Sequence, residues 1–219
     1  MIKDIQKPRI DLYKTELHLA RTWHDLRDIE PLLICGFPTI GKDSEDFPFD
    51  EWYKHSYSVI ARLDGRCIGT GRLIPGTCPI GTRARTYRRL PFAEQTSCET
   101  NGLAVWPDYQ GAGVGTMIEV YKLLLASRNG MRTCFGVTGD KHQLLECLGY
   151  RIDATNPFNY GFYGEQDISF LASAEIPEIL SLAEVYLNQR YGSRLYGMLN
   201  KLVDMEITKG LNFLPMLQP

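Results

Sequence analysis

Between Ser97 and Gly130 the chain carries a strand, a glycine-rich turn and a helix in immediate succession, and few folds accommodate that order. The predicted strand, Glu99 to Trp106, sets Leu103 and Val105 on one face. A turn at Pro107-Asp108-Tyr109 leads into Gln110-Gly111-Ala112-Gly113-Val114-Gly115 and then Thr116. Met117, Ile118, Val120, Tyr121, Leu124 and Leu125 follow at helical spacing. Such a junction leaves unpaired N–H groups at a helix N-terminus, where an anion or phosphate binds. The glycines let the backbone take positive φ and approach a ligand closely. It is not a P-loop, because no lysine follows Gly115, and too few strand–helix repeats follow for a dinucleotide fold.

A chain of 219 residues is the size of one domain with a substantial core. A 44% hydrophobic content and a net charge of −2 describe a soluble globular protein and argue against a nucleic-acid binder. The N-terminus lacks the apolar segment of a signal peptide, and no long apolar run predicts a membrane span. Cys35, Cys67, Cys78, Cys98, Cys134 and Cys147 are scattered without CxxC spacing, and the four histidines are equally dispersed. They read as reduced thiols of a cytoplasmic protein, with no metal site.

Along the chain, Ile10 to Tyr13 predicts a first strand and Glu16 to about Leu33 a helix, broken near Pro31, with Trp23 in the core. Residues 37–55 form a loop in which Asp50 and Trp52 suit either a substrate wall or aromatics tucked into the core. Tyr57–Leu63 and Arg66–Ile74, joined by Asp64-Gly65, predict a β-hairpin. Arg83, Arg85, Arg88 and Arg89 are the only dense basic cluster, either a solvated surface or a docking patch for an acidic partner. Thr133–Thr138 predicts a buried strand, Asp140–Leu148 a short helix capped by Gly149, and Tyr150–Ala154 and Tyr160–Leu171 further strands. Helices follow from Glu175-Ile176-Pro177 and around Leu195–Val203.

The segment Gln110-x-x-Gly113-x-Gly115 resembles the acyl-donor loop of the GCN5-related N-acyltransferases (GNAT), whose pattern is Gln/Arg-x-x-Gly-x-Gly/Ala. Leu145-Glu-Cys-Leu-Gly-Tyr150 is similar to that superfamily's Tyr-x-x-Leu-Gly-Phe segment. The resemblance implies an α/β (α+β) fold, a central mixed twisted sheet flanked by helices, with a core over about 9–172 and extra C-terminal helices over 173–219 in a single domain. Upstream, Arg72-Leu-Ile-Pro-Gly and Cys98-Glu-Thr-Asn-Gly-Leu-Ala-Val105 resemble acyl-homoserine lactone synthases, and more closely the bacterial long-chain N-acyl amino acid synthases of the N-acyltyrosine type. Gly102 and Leu103 depart from the lactone synthases' arginine and aromatic, which argues against a homoserine lactone product. Leu145 replaces the tyrosine used by many acetyltransferases as general acid.

The resemblance implies an enzyme moving a fatty acyl group from a phosphopantetheine thioester, on acyl carrier protein or coenzyme A, to a tyrosine-like amino acid, with no tightly bound cofactor. Glu99 is the expected base, its alternative being a strand carboxylate paired with Arg72. Leu103, Ala104 and Val105, with Gln110, Gly111, Ala112, Gly113, Val114, Gly115 and Thr116, are expected to bind the donor. Phe135, Leu144 and Leu145 are the expected acyl pocket. Arg72, Asp50 and Trp52 are the expected amino-acid site, Arg72 either holding the carboxylate or orienting Glu99, and the four arginines are expected to dock the carrier protein. Small-molecule acetyl transfer from acetyl-CoA, lactone synthesis and a non-catalytic acyl-thioester sensor remain the alternatives.

Overall fold

The computed structural model describes residues 10–36, 56–76, 96–139, 142–155, 157–159 and 168–211. Its strands are β1 (Glu16–Leu19), β2 (Tyr57–Leu63), β3 (Arg66–Pro75), β4 (Ser97–Val105), β5 (Thr133–Thr138), β6 (Arg151–Ile152), β7 (Phe158–Asn159) and β8 (Ile168–Glu175). The helices are α1 (Trp23–Gly36), α2 (Val114–Arg128), α3 (Gln143–Leu148), α4 (Ile176–Tyr191) and α5 (Leu195–Thr208). The sheet runs β1-β2-β3-β4-β5-β8, with β6 and β7 sharing the outer edge of β8. Among the described residues only β4 and β5 are parallel; the other neighbouring pairs are antiparallel.

The β2–β3 hairpin forms as its Asp-Gly turn predicts, with Asp64 at φ 50° and Gly65 at φ 75°. Helix α2 lies across one face of the sheet and is buried from Val114 through Ala126 apart from the half-buried Gly115. A helix apolar all round needs cover on both sides. Here β2, β3 and β4 supply one side, and α4 and α5 the other. Ile176, Ile179, Ala183 and Leu187 of α4 and Leu195, Leu199 and Val203 of α5 join Met117, Tyr121 and Leu124 in one core cluster. The opposite face carries α1, whose Ile29 and Leu33 pack on Ile60.

The N-terminal expectations are corrected. Leu12–Lys14 is a single 3-10 turn rather than part of a strand, because the Asp11 carboxylate accepts the Tyr13 N–H at 3.0 Å. Glu16–Leu19 is an edge strand, not helix, paired with β2 from Glu16–Arg62 to Leu19–Val59. Helix α1 starts later, behind a reciprocal cap in which Thr22 Oγ1 accepts the Asp25 N–H at 3.2 Å and Asp25 accepts the Thr22 N–H at 3.0 Å. It continues through Pro31, its inner face held by Ile29, Leu32 and Leu33. Trp23 lies off that face and is 69% exposed, so it is not core. The last strand begins at Ile168 and runs to Glu175, later than Tyr160–Leu171; residues 160–167 lie outside the described residues. Helix α3 begins at Gln143, and the expected start at Asp140 likewise lies outside them.

Candidate active site

Strand β4 pairs with β5 only at Ser97–Thr133, Cys98–Cys134 and Glu99–Phe135. Beyond that, β4 stays with β3 to Val105 while β5 stays with β8 to Thr138. The two central strands therefore part into a fork. A β-bulge assists: Thr70 pairs with Ala104 and Arg72 with Asn101, so Gly71 faces both Gly102 and Leu103. Gly102 sits at φ 61°, which explains a glycine there. The fork leaves the β5-facing backbone edge of Leu103–Val105 without a strand partner among the described residues.

The glycine turn closes one wall of this fork. Gly113 is the N-cap of α2 at φ 100° and has no side chain to cap with; the first helical bond is Met117 N–H to Gly113 at 2.9 Å. The N–H groups of Val114, Gly115 and Thr116 thus have no intrahelical acceptor, and the helix dipole adds positive potential there. A Cβ at Gly115 would stand 3.5 Å from Leu144, 3.7 Å from Val105 and 3.9 Å from Leu103, so these residues surround one slot. Gln110 ties the loop to the strand by donating its side-chain N–H to the Val105 carbonyl at 2.9 Å. Gly111 takes φ 80° in the same turn, and Ala112 is half-buried beside it.

Glu99 is fully buried on β4. The two-residue strand period puts it, with Asn101, on the α1 face, opposite Cys98, which packs on the α2 side. Asn101 donates Nδ2–H to Glu99 Oε1 at 2.5 Å and accepts from Arg72 Nε at 2.7 Å. Sequence reasoning placed Arg72 and Glu99 near each other but missed Asn101, which joins them. Its signal was present: residues i and i+2 of a strand share a face. Phe135 stands beside Glu99 across the last β4–β5 pair. Leu144 faces the glycine turn instead, and Leu145 is half-buried against the main core. Asp50 and Trp52, and Arg83, Arg85, Arg88 and Arg89, lie outside the described residues.

Beneath the sheet, sequence reasoning missed a buried polar network. Lys122 Nζ lies 2.7 Å from Glu119 Oε2, and the Tyr150 hydroxyl donates to Glu119 Oε1 at 2.7 Å. Its sequence signal was a Glu–Lys pair three residues apart on an otherwise apolar helix. Burial pushes the Tyr150 phenol well above its usual pKa, so it remains a donor. Burial also pushes the Cys134 thiol up to about 12 and the Cys98 thiol well above its usual value, which makes both inert. Tyr150→Phe removes a donor from a buried carboxylate and should cost about 1–3 kcal/mol of stability. Denaturant unfolding reads this as a lower midpoint; an unchanged midpoint would show that Glu119 finds another donor.

A forked parallel strand pair, a glycine turn and a helix N-terminus with no side-chain cap characterise this fold. It is the fold of the GNAT superfamily: the model of the acetyltransferase (GNAT) family matches residues 26–131. No curated protein matches the chain. Among solved structures, MesI, a CoA-dependent acyl-homoserine lactone synthase, aligns with TM-score 0.53 at 18% identity, over 81% of this chain and 95% of that one. The protein yncA from Salmonella typhimurium, solved with acetyl-CoA, aligns with TM-score 0.55 at 15% identity, over 74% and 94%. An aminoglycoside 6'-N-acetyltransferase complexed with coenzyme A gives TM-score 0.55 at 15% identity, over 74% and 97%. Among the described residues no cluster of ligating side chains could hold a metal ion, and no helix is long and apolar enough to cross a membrane.

Proposed function

We propose that the chain is an N-acyltransferase that moves a long-chain fatty acyl group from a pantetheine thioester to the amino group of an amino acid such as tyrosine. The observation that carries this reading is the β4–β5 fork, with a buried carboxylate at its closed end and an uncapped helix N-terminus along one wall. The N–H groups of Val114–Thr116 receive the phosphate end of the donor. The open edge of Leu103–Val105 pairs with the pantetheine amides as an added strand would, and one of its N–H groups steadies the thioester oxygen.

The amine must lose a proton before its nitrogen attacks the thioester carbonyl. Glu99, held by Asn101, accepts that proton directly or through water. The C–N bond forms, the C–S bond breaks, and the departing thiolate takes up a proton to leave as thiol. Leu145 supplies none, so that proton comes from the amine or from solvent. Arg72, held by Asn101, binds the acceptor carboxylate or orients Glu99. Phe135 and Leu144 line the path of the acyl chain.

The reading is tested by thiol release from an acyl thioester with and without tyrosine. Tyrosine-dependent release supports it, and donor binding without turnover favours a sensor. Transfer of a short acetyl group is the second reading, favoured by the acetyl-CoA in one structural neighbour and the coenzyme A in another.

The donor is proposed to arrive on acyl carrier protein, because the four arginines at 83, 85, 88 and 89 stand in a chain of net charge −2 and carrier proteins are acidic. The same acyl group on carrier protein should react faster than on coenzyme A, in a salt-sensitive way. Arg88→Glu/Arg89→Glu should abolish mainly that advantage. Equal use of both donors, with both harmed alike by the reversal, would reject carrier docking.

A further inference from the structure

We propose that Lys122, Glu119 and Tyr150 are positioning residues: buried together beneath the β4–β5 fork, they fix the geometry of its closed end and, through it, the affinity for the thioester donor. Gly115, Glu119 and Lys122 fall at i, i+4 and i+7 of α2, one stripe of the helix that begins at the donor slot. At 1.5 Å per residue the stripe runs about 10 Å inward from Gly115. It meets the sheet at three points. Lys122 Nζ lies 3.4 Å from where a Cβ on Gly71 would stand, so the ammonium sits under the β-bulge of β3. The Tyr150 phenol, bonded to Glu119, has Thr100 of β4 and Cys134 of β5 as its other hydrogen-bonding neighbours. Cys134 belongs to the β4–β5 ladder, and Thr100 is the first β4 residue beyond it. The network thus touches the bulge and both arms of the fork where they part.

Stability gives no reason for these groups. Lys122 is fully buried and Glu119 nearly so, amid Met117, Ile118, Val120 and Tyr121 of the main core. Desolvating such a pair offsets most of what the pairing returns, and apolar residues of similar volume often leave a protein equally or more stable. What apolar residues lack is direction. The ion pair and the phenol hydrogen bond each fix one distance, 2.7 Å in both cases, and so fix α2 relative to the bulge and to the chain entering β6. Gly71 supports the same reading. A Cβ there would also lie 2.7 Å from Ile118, so α2 and its ion pair pack directly on the backbone of the bulge.

The effect on the donor rests on the transferase reading, but the effect on the fork does not. The test compares the parent with Glu119→Met/Lys122→Met/Tyr150→Phe, which removes every polar group of the network together and leaves no buried carboxylate behind. A milder variant, Glu119→Gln/Lys122→Met, removes both charges and keeps an acceptor for the phenol. At least one of the two should match or exceed the parent's denaturation midpoint. In that variant, amide hydrogen exchange across 98–101 and 133–136 should be at least about tenfold faster than in the parent, with α5 unchanged. Coenzyme A, the donor probe, should bind at least about tenfold more weakly, because small misplacements within a site are costly. Parent-like exchange at the fork in a stable variant would overturn the proposal. Midpoints well below the parent's in both variants would also overturn it, by making the network a stabilising one. Faster exchange beside parent-like coenzyme A binding, or no binding by the parent, would uphold the positioning of the fork and reject its use as the donor site.

Discussion

Replacing Glu99 with glutamine is expected to lower turnover about 10²- to 10⁴-fold at neutral pH, the range for a lost general base. Glutamine keeps the shape of the side chain and can still meet Asn101, which lies 2.5 Å from the carboxylate. What it loses is the ability to accept a proton from the incoming ammonium. Donor affinity should survive, since the glycine turn lies on the other face of the sheet. The rate lost by the variant should be partly restored as pH rises, because a growing fraction of acceptor then arrives as free amine. Asn101→Ala is the companion variant: it leaves the carboxylate in place but unpositioned, and should lower the rate less. Parent-like turnover and pH dependence in Glu99→Gln would make the residue a structural carboxylate and move the base elsewhere.

Gly115→Leu is expected to weaken donor binding at least about a hundredfold, equivalent to 2.7 kcal/mol. A Cβ there would make only ordinary contacts, the nearest 3.5 Å away, so the fold accepts it. The rest of the leucine fills the slot between Leu103, Val105 and Leu144 that the donor needs. Gly113 behaves differently. Its φ of 100° disfavours any side chain, and a Cβ would lie 2.8 Å from the Tyr191 ring and 2.9 Å from Leu12. Gly113→Val therefore combines left-handed backbone strain of about 1–2 kcal/mol with overpacking of about 1–3 kcal/mol. It should lower the melting temperature before it says anything about the donor. The two variants separate a ligand-facing glycine from one that lets α4 dock. Normal donor affinity in a folded Gly115→Leu would remove the fork from the account.

The fork's elements were legible because their signals are local. Asp64-Gly65 fixed a hairpin, and the glycine turn followed by an apolar helix fixed β4, the turn and α2. The N-terminal segment was misread because Leu17, Ala20, Trp23, Leu26 and Ile29 recur every three residues and mimic an amphipathic helix. In the fold, pairing with β2 takes Glu16–Leu19 into the sheet, and the Thr22–Asp25 cap starts the helix afresh. Neither event shows in hydrophobic periodicity. The pairing of Arg72 with Asn101 was equally invisible, since it joins two strands whose register only the folded sheet defines. Glu119, Lys122 and Tyr150 are separated by up to 31 residues and meet only because α2 is covered on both sides.

The most direct test of the transfer reaction is a mass spectrum of the product formed from a long-chain acyl thioester and nitrogen-labelled tyrosine. One new species is expected, with the mass of tyrosine plus the fatty acid less water, carrying the label in an amide. It should form with the parent protein and fall to trace levels with Glu99→Gln. Free fatty acid as the only product, or intact thioester and tyrosine after prolonged incubation with saturating donor, would contradict it.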